Sequence, residues 1–340
     1  MAVIDVEALS AELSPDSPCG EDLEYDPVLA NLEIALQGKP EQVMGDNVIE
    51  AEPANWKEVK KLSLDLLSRT RDIRFTLYLA RALVNTDGLI AFNEGLQLLK
   101  GILEQYWDEV HPVLDPEDDN DPTMRVNALI ALCDKDGFIK EIEHAPLVTS
   151  KVLGSFSLHD IHIVNGTVAP PKTDKPLPEA SHIDGAFMEA EIEELTAMSE
   201  AVASAVENVK AIEALVTEKI GSSQAPSLES CVKCLDDISK EMSQRLSLRG
   251  VNVEGEEEAE GGGAPAQQRI AGEISCREDV VRTLEKICEY YHRSEPSSPV
   301  PLLLQRAKKM VTMNFVDIVK DMAPAGIGEV TTIVGNSESS

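Results

Sequence analysis

The run NWKEVKKLSLDLLSRTRDIRFTLYLARALVNTDGLIAFNEGLQLLKGILEQYWDEVHP, residues 55–112, decides the fold class. Asn55 and Glu58 form a helix-start signal, and Trp56, Val59, Leu62 and Leu66 follow at spacings of three and four. A second stripe, Ile73, Leu77, Ala80 and Val84, keeps that spacing. After Asp87 and Gly88 a third runs through Phe92, Leu96, Leu99, Leu103 and Tyr106, until Pro112 closes it. Residues three and four apart share one face of a helix, whereas a strand would alternate. The run therefore predicts consecutive amphipathic helices within a helical domain, placed at residues 1–170.

Outward from that core the pattern is looser. Val6, Leu9 and Leu13 mark a short helix before Pro15, Pro18 and Gly20, and Val126, Leu129 and Ile130 mark another after an acidic loop, residues 115–122. The β-branched stretch 152–168 predicts one or two short strands. Four prolines between 170 and 178 read as a linker. Beyond it, Met188, Leu195, Val202, Val209 and Val216 recur every seven residues in a proline-free run from Asp184 to Ile220. Gly221 suits its end, and Leu228, Val232, Leu235, Met242 and Leu246 form a returning stripe. This predicts a middle helical hairpin at 183–249. Residues 250–272 are rich in Glu and Gly, cannot bury apolar surface, and are expected to be a disordered acidic linker.

Residues 273–340 read as a small helical module. Ser275 and Glu278 form a capping box, prolines at 296, 299 and 301 make a corner, and Pro301 fits the first turn of the next helix. Its apolar positions exceed what one stripe per helix needs, and so short a unit buries too little surface to stand alone. The expectation is an oligomerisation module. The residues assigned to its contacts are Val280, Val281, Leu284, Ile287, Tyr290, Tyr291, Pro299, Leu302, Leu303, Leu304, Arg306, Met310, Phe315 and Ile318. The plainer reading is a last helical layer of the monomer.

Composition agrees with a mainly α chain: 43% of residues are apolar and only 4% aromatic. A formal charge of −31 disfavours nucleic acid and anionic membranes. The excess acid lies upstream, since residues 274–322 hold eight basic against seven acidic side chains. The opening residues lack a basic start and an apolar core, and no apolar run reaches membrane-spanning length. A cytoplasmic protein with reduced thiols is expected.

Catalytic motifs are weak. Cys231 and Cys234 form a CxxC inside a predicted helix, without a second pair of ligands for zinc. His159 and His162 lack a third ligand. The loop at Asp115, Glu117, Asp119 and Asp121 alternates acids, but Asn120 and Val126 stand where a calcium loop needs Gly and Glu. No phosphate-binding glycine loop or nucleophile elbow is present. No cofactor, metal or small-molecule substrate is expected. The alternative from another class is an acidic hydrolase or a metal-dependent enzyme.

Two sets of motifs, in order and at both ends, resemble the ImpA family of type VI secretion proteins. They are Pro18-Cys-Gly-Glu-Asp-Leu-Glu-Tyr-Asp-Pro27, Trp56-Lys-Glu-Val59, Thr70-Arg-Asp-Ile-Arg74, Gly95-Leu-Gln-Leu-Leu99 and Tyr106-Trp-Asp-Glu-Val-His-Pro112, then Glu295 to Lys308 with Asn314-Phe315 beyond. The resemblance implies a non-enzymatic scaffold that forms a high-order ring through its C-terminal region. It implies contacts with baseplate, sheath, inner tube and membrane-complex proteins of a contractile tail, at the inner membrane. A baseplate-like role is expected, with a cap on the distal end of the growing sheath as the alternative. N-terminal partner contacts are assigned to motif residues Glu21, Asp22, Trp56, Arg71, Asp72, Arg74 and Trp107.

Overall fold

The structure is a computed structural model that describes residues 2–38, 42–44, 47–49, 53–170, 177–251 and 300–311, with Leu284, Ile287, Cys288 and Tyr291. The chain divides into two compact units, Met1–Glu256 and Glu257–Ser340. It is mainly helical, as expected.

In the first unit the elements are α1 (Val6–Ser10), α2 (Pro27–Gln37), a hairpin of β1 (Gln42–Met44) and β2 (Asn47–Ile49), α3 (Trp56–Leu67), α4 (Ile73–Thr86) and α5 (Leu89–Tyr106). There follow α6 (Thr123–Ile130), α7 (Phe138–His144), β3 (Pro146–Ser150), β4 (Gly154–Ser157), α8 (Leu158–Val164), α9 (Ala180–Glu189), α10 (Ile192–Ile220) and α11 (Glu229–Leu248), with 3₁₀ turns at Pro116–Asp118 and Ala131–Cys133. The long helices pack in the order α2, α3, α4, α5, α10, α11. Several start on the signals the sequence carries. Asn55 Oδ1 accepts from the Glu58 N–H, and Asp72 Oδ1 accepts from the Arg74 N–H at 2.7 Å.

α5 is the centre of this row. Leu89, Phe92, Leu96, Leu99 and Leu103 are buried, and so are Ala91, Leu98 and Ile102. Gly95 lets α4 approach: a Cβ there would lie 2.9 Å from the Ala80 Cβ. The carboxylate of Glu94 accepts from the backbone N–H groups of Val3 and Ile4, which ties the start of the chain to α5. On another side, Asn208 Nδ2 of α10 donates to Asn93 Oδ1 at 2.9 Å, both residues being buried. The segment 183–249, read from sequence as a middle segment, thus packs on α5 through α10 and lies within the same compact unit as residues 1–170.

The hairpin itself forms as the returning stripes predict. Leu195, Val202, Val209 and Val216 on α10 are buried, as are Leu228 just before α11 and Leu235, Met242 and Leu246 on it. The expected heptad start at Met188 is corrected: that residue is 62% exposed and belongs to α9. Ala190 and Glu191 are extended and break the run. The physical reason lies on α11. Arg249 donates to the carbonyls of Phe187 and Ala190, and the Arg245 guanidinium sits 4.8 Å from the Phe187 ring while pairing with Asp184 and Glu241. These contacts satisfy the end of α9 and turn Ile183 and Phe187 inward.

A second correction concerns residues 152–168. One strand, β4 at 154–157, does fall there; its antiparallel partner β3 lies earlier at 146–150, and residues 158–164 are helical. Ser157 and Asp160 form a capping box that starts α8, and Leu158 and Ile161 point into the core.

In the second unit, α12 (Val300–Val311) is described, with Pro301 in its first turn as expected. Leu284, Ile287, Cys288 and Tyr291 are helical. The rest of the expected three-helix module and the acidic linker beyond Val251 lie outside the described residues.

Candidate functional site

The motif residues of the N-terminal turn meet around one knot. The turn at Cys19 and Gly20 is stitched to residues 70–72, because the Arg71 N–H donates to the Cys19 carbonyl at 2.7 Å and the Thr70 hydroxyl donates to the same oxygen at 3.1 Å. Gly20 has φ +72, and a side chain there would strike the Arg69 carbonyl at 2.2 Å, so the motif requires glycine. On the other side, His111 N–H donates to the Arg71 carbonyl at 3.0 Å, and Ile73 N–H donates to the His111 carbonyl at 2.9 Å. Three segments distant in sequence are thereby held together.

Three of the residues assigned to partner contacts are interior. Arg71, Asp72 and Trp107 are 2%, 0% and 5% exposed. Arg71 donates to the carbonyls of Ala11, Leu67 and Thr70, and burial lowers its pKa. Asp72 caps α4 and binds Arg74. Trp107 carries the Arg125 guanidinium 5.0 Å from its ring. All three are buried, with Arg71 turned onto main-chain carbonyls, Asp72 onto Arg74 and Trp107 onto Arg125, which sets them apart from the exposed residues of the expected surface.

The other four stay accessible. Arg74 lies 2.8 Å from Asp72, 3.5 Å from Glu24 and 3.7 Å from Asp22. Burial opposes its charge, but these carboxylates outweigh that effect and its pKa stands above the ordinary value. Asp22 is exposed beside it, and Glu21, next in the turn, is exposed and acts on Arg69. Trp56 is half-buried elsewhere, with the Arg81 guanidinium 5.3 Å from its ring and Arg81 forked onto Glu141. The surface left by the motifs is thus a carboxylate-rich turn around one partly covered arginine.

Arg125 was not singled out in the sequence. It is 1% exposed and donates to the carbonyls of Trp107, Val110 and Pro112, the last two at 2.7 Å. No periodic signal marks it, since it sits as one charged residue in a short helix.

The motifs with tempting chemistry are placed structurally. Cys231 and Cys234 are buried on α11, and burial pushes the Cys234 thiol up to about 12 and that of Cys231 higher still. His159 stacks on His144 at 4.2 Å, and burial first, then His144, holds its pKa below the ordinary value. The acidic loop turns through Asp119 and Asn120 with positive φ. Among the described residues no group of three or more His, Cys, Asp or Glu is placed to hold a metal ion, and no helix is long and apolar enough to cross a membrane.

At the expected contact of the second unit, Leu303 is 67% exposed and Arg306 is exposed, while Leu284, Ile287, Tyr291 and Leu304 are half-buried. Leu302 and Met310 belong to α12, their side chains lying outside the description. Val280, Val281, Tyr290, Pro299, Phe315 and Ile318 lie outside the described residues.

The model of the N-terminal region of ImpA, type VI secretion system, matches residues 10–134. Type VI secretion system component TssA1 of Pseudomonas aeruginosa is 40% identical over 98% of this chain and 99% of its own length. The solved N-terminal domain of the TssA component from Burkholderia cenocepacia, which includes the conserved ImpA_N region, is similar with a TM-score of 0.59 at 22% identity. That likeness covers 74% of this chain and 96% of the solved one, and shows the fold.

Proposed function

Because the chain belongs to the TssA (ImpA) family of type VI secretion system components, we propose that it is a non-enzymatic, ring-forming scaffold for the contractile tail, working at the baseplate. The second unit makes the ring, and the acidic first unit carries the contacts to baseplate, sheath, inner tube and membrane-complex proteins. The observation that carries this reading is α12. It holds Leu303 at 67% exposure, one turn before the exposed Arg306, on a helix that carries Lys308 and Lys309 in its last turn. An apolar side chain left in water on an amphipathic helix is suited to burial against another copy. Around it, residues 274–322 are nearly neutral, so copies can meet there without the repulsion of the −31 chain. Many arms on one ring raise the effective concentration of each weak contact. The place of work is the cytoplasm, at the secretion apparatus.

Light scattering on the full chain tests the ring. The wild type should have the mass of a high-order oligomer, and Leu303→Asp should lower it while residues 1–256 stay folded. A monomeric wild type ends the proposal. A fluorescent fusion then tests position: a focus that stays at the envelope supports the baseplate, and one that travels with the growing end means a distal cap.

A further inference from the structure

We propose that the outer edge of β3 is a docking site for an extended segment of a partner protein, apolar at alternate positions and flanked by basic residues, which adds to the β3–β4 hairpin as a third strand. β3 and β4 form a two-stranded antiparallel sheet, so β3 pairs on one side only among the described residues. Outside that ladder no backbone group of Leu147, Val148 or Thr149 bonds to another described element. A strand edge with free N–H and C=O groups is a template for another strand.

The free edge borders a groove of about 450 Å³. Four consecutive residues, Pro146–Thr149, line it. A register shift between Pro146 and Val148 interrupts the alternation of side chains there, but beyond it Val148 and Thr149 are regularly paired neighbours that face opposite sides and both line the groove, so the backbone between them forms part of the wall. The first turns of α10 supply Ala197 and Met198, and α5 supplies Ile90, giving apolar surface for every second side chain of an incoming strand. Ile90 is 39% exposed. Glu193 and Glu194 also line the groove, both exposed, their side chains without an ion pair or hydrogen bond among the described residues. Two unpaired carboxylates beside an apolar slot select a segment that brings Lys or Arg to that end. This surface goes beyond the scaffold reading and does not depend on the ring. It includes none of the motif residues assigned to partners from sequence.

The test uses the full-length protein and a fluorescein-labelled seven-residue peptide of alternating valine and threonine between terminal lysines, read by fluorescence anisotropy. N-methylation of alternate peptide nitrogens removes the main-chain donors and should weaken binding at least tenfold. The double variant Glu193→Lys, Glu194→Lys should do the same, and Ala197→Trp should block the groove. Glu229→Lys, an exposed reversal on α11, should leave affinity within about twofold. Equal weakening by Glu229→Lys would mean diffuse attraction to an acidic protein and would overturn the proposal. So would indifference to N-methylation, which would exclude strand addition. A drop in oligomer mass of the unliganded double variant would assign the groove to a second copy and also overturn it.

Discussion

Replacing Arg125 by Met should destabilise the first unit by about 3 kcal/mol. Arg125 is 1% exposed and its guanidinium holds three carbonyls, those of Trp107, Val110 and Pro112, at the end of α5. Each buried acceptor left unpaired costs roughly 1–3 kcal/mol, so the three together cost about 6. Against this stands the cost of keeping a cation in the interior. Burial lowers the Arg125 pKa to about 10, which corresponds to about 3 kcal/mol regained when the charge is removed. The net loss is thus about 3 kcal/mol. Lys at this position tests whether charge or shape matters. It retains the desolvation cost but cannot fork to three oxygens, so Arg125→Lys should be at least as unstable as Arg125→Met. Urea unfolding followed by tryptophan fluorescence reads this unit alone, because both tryptophans, Trp56 and Trp107, lie within it. An Arg125→Met protein within about 1 kcal/mol of wild type, or full rescue by Lys, would refute the reasoning.

Asn208→Ala leaves the buried Asn93 amide without its partner and should cost about 1–3 kcal/mol in the same assay, whereas Asn93→Leu with Asn208→Leu should recover part of the loss. Iodoacetamide at pH 8 should leave Cys19, Cys231 and Cys234 unmodified in the native protein while labelling Cys133, since the first three are buried and burial raises their thiol pKa values, that of Cys19 to about 11; peptide mass mapping that finds Cys231 labelled before unfolding would contradict this. His159 has a folded pKa below its unfolded value of 6.5, from burial first and His144 second, with His162 adding to the repulsion and Asp160 and Glu143 opposing it. The unfolded chain therefore binds the proton more readily, so the contribution of His159 to stability is full above pH 6.5 and falls as pH drops below it. His159→Gln should flatten that acid slope in urea midpoints measured from pH 7.5 to 5, and an unchanged slope would count against the assignment.

The long helices were legible because burial stamps a spacing on them. Phe92, Leu96, Leu99 and Leu103 were read from spacing alone and are buried in α5, and the same holds for Val202, Val209 and Val216 in α10. What escaped is set by contacts between distant residues. Nothing local shows that Arg249 closes α9 at Ala190 and ends the heptad that began at Met188. The site residues divide by the same logic. Arg71, Asp72 and Trp107 stand in motifs that carry a family resemblance, yet they are buried, Arg71 bonding the carbonyls of Ala11, Leu67 and Thr70, Asp72 capping α4 and Trp107 packing under Arg125. A motif marks what the fold requires as readily as what a partner touches, and only burial separates the two.

The sequence of α5 itself carries a signal of the larger architecture. Besides its main stripe, α5 carries Ala91, Gly95, Leu98 and Ile102, a second set at spacings of three and four. A helix apolar on two sides cannot sit at the edge of a domain; it needs neighbours on both. α4 takes one, meeting Gly95 through Ala80, and α10 takes the other through the Asn93–Asn208 bond. The core of residues 1–170 is therefore incomplete without the helices at 183–249. A cut at 170 would expose buried α5 surface and an unpaired Asn93, whereas a cut after α11 follows a boundary the packing already draws. The deletion that separates the first unit from the second therefore belongs beyond Glu256.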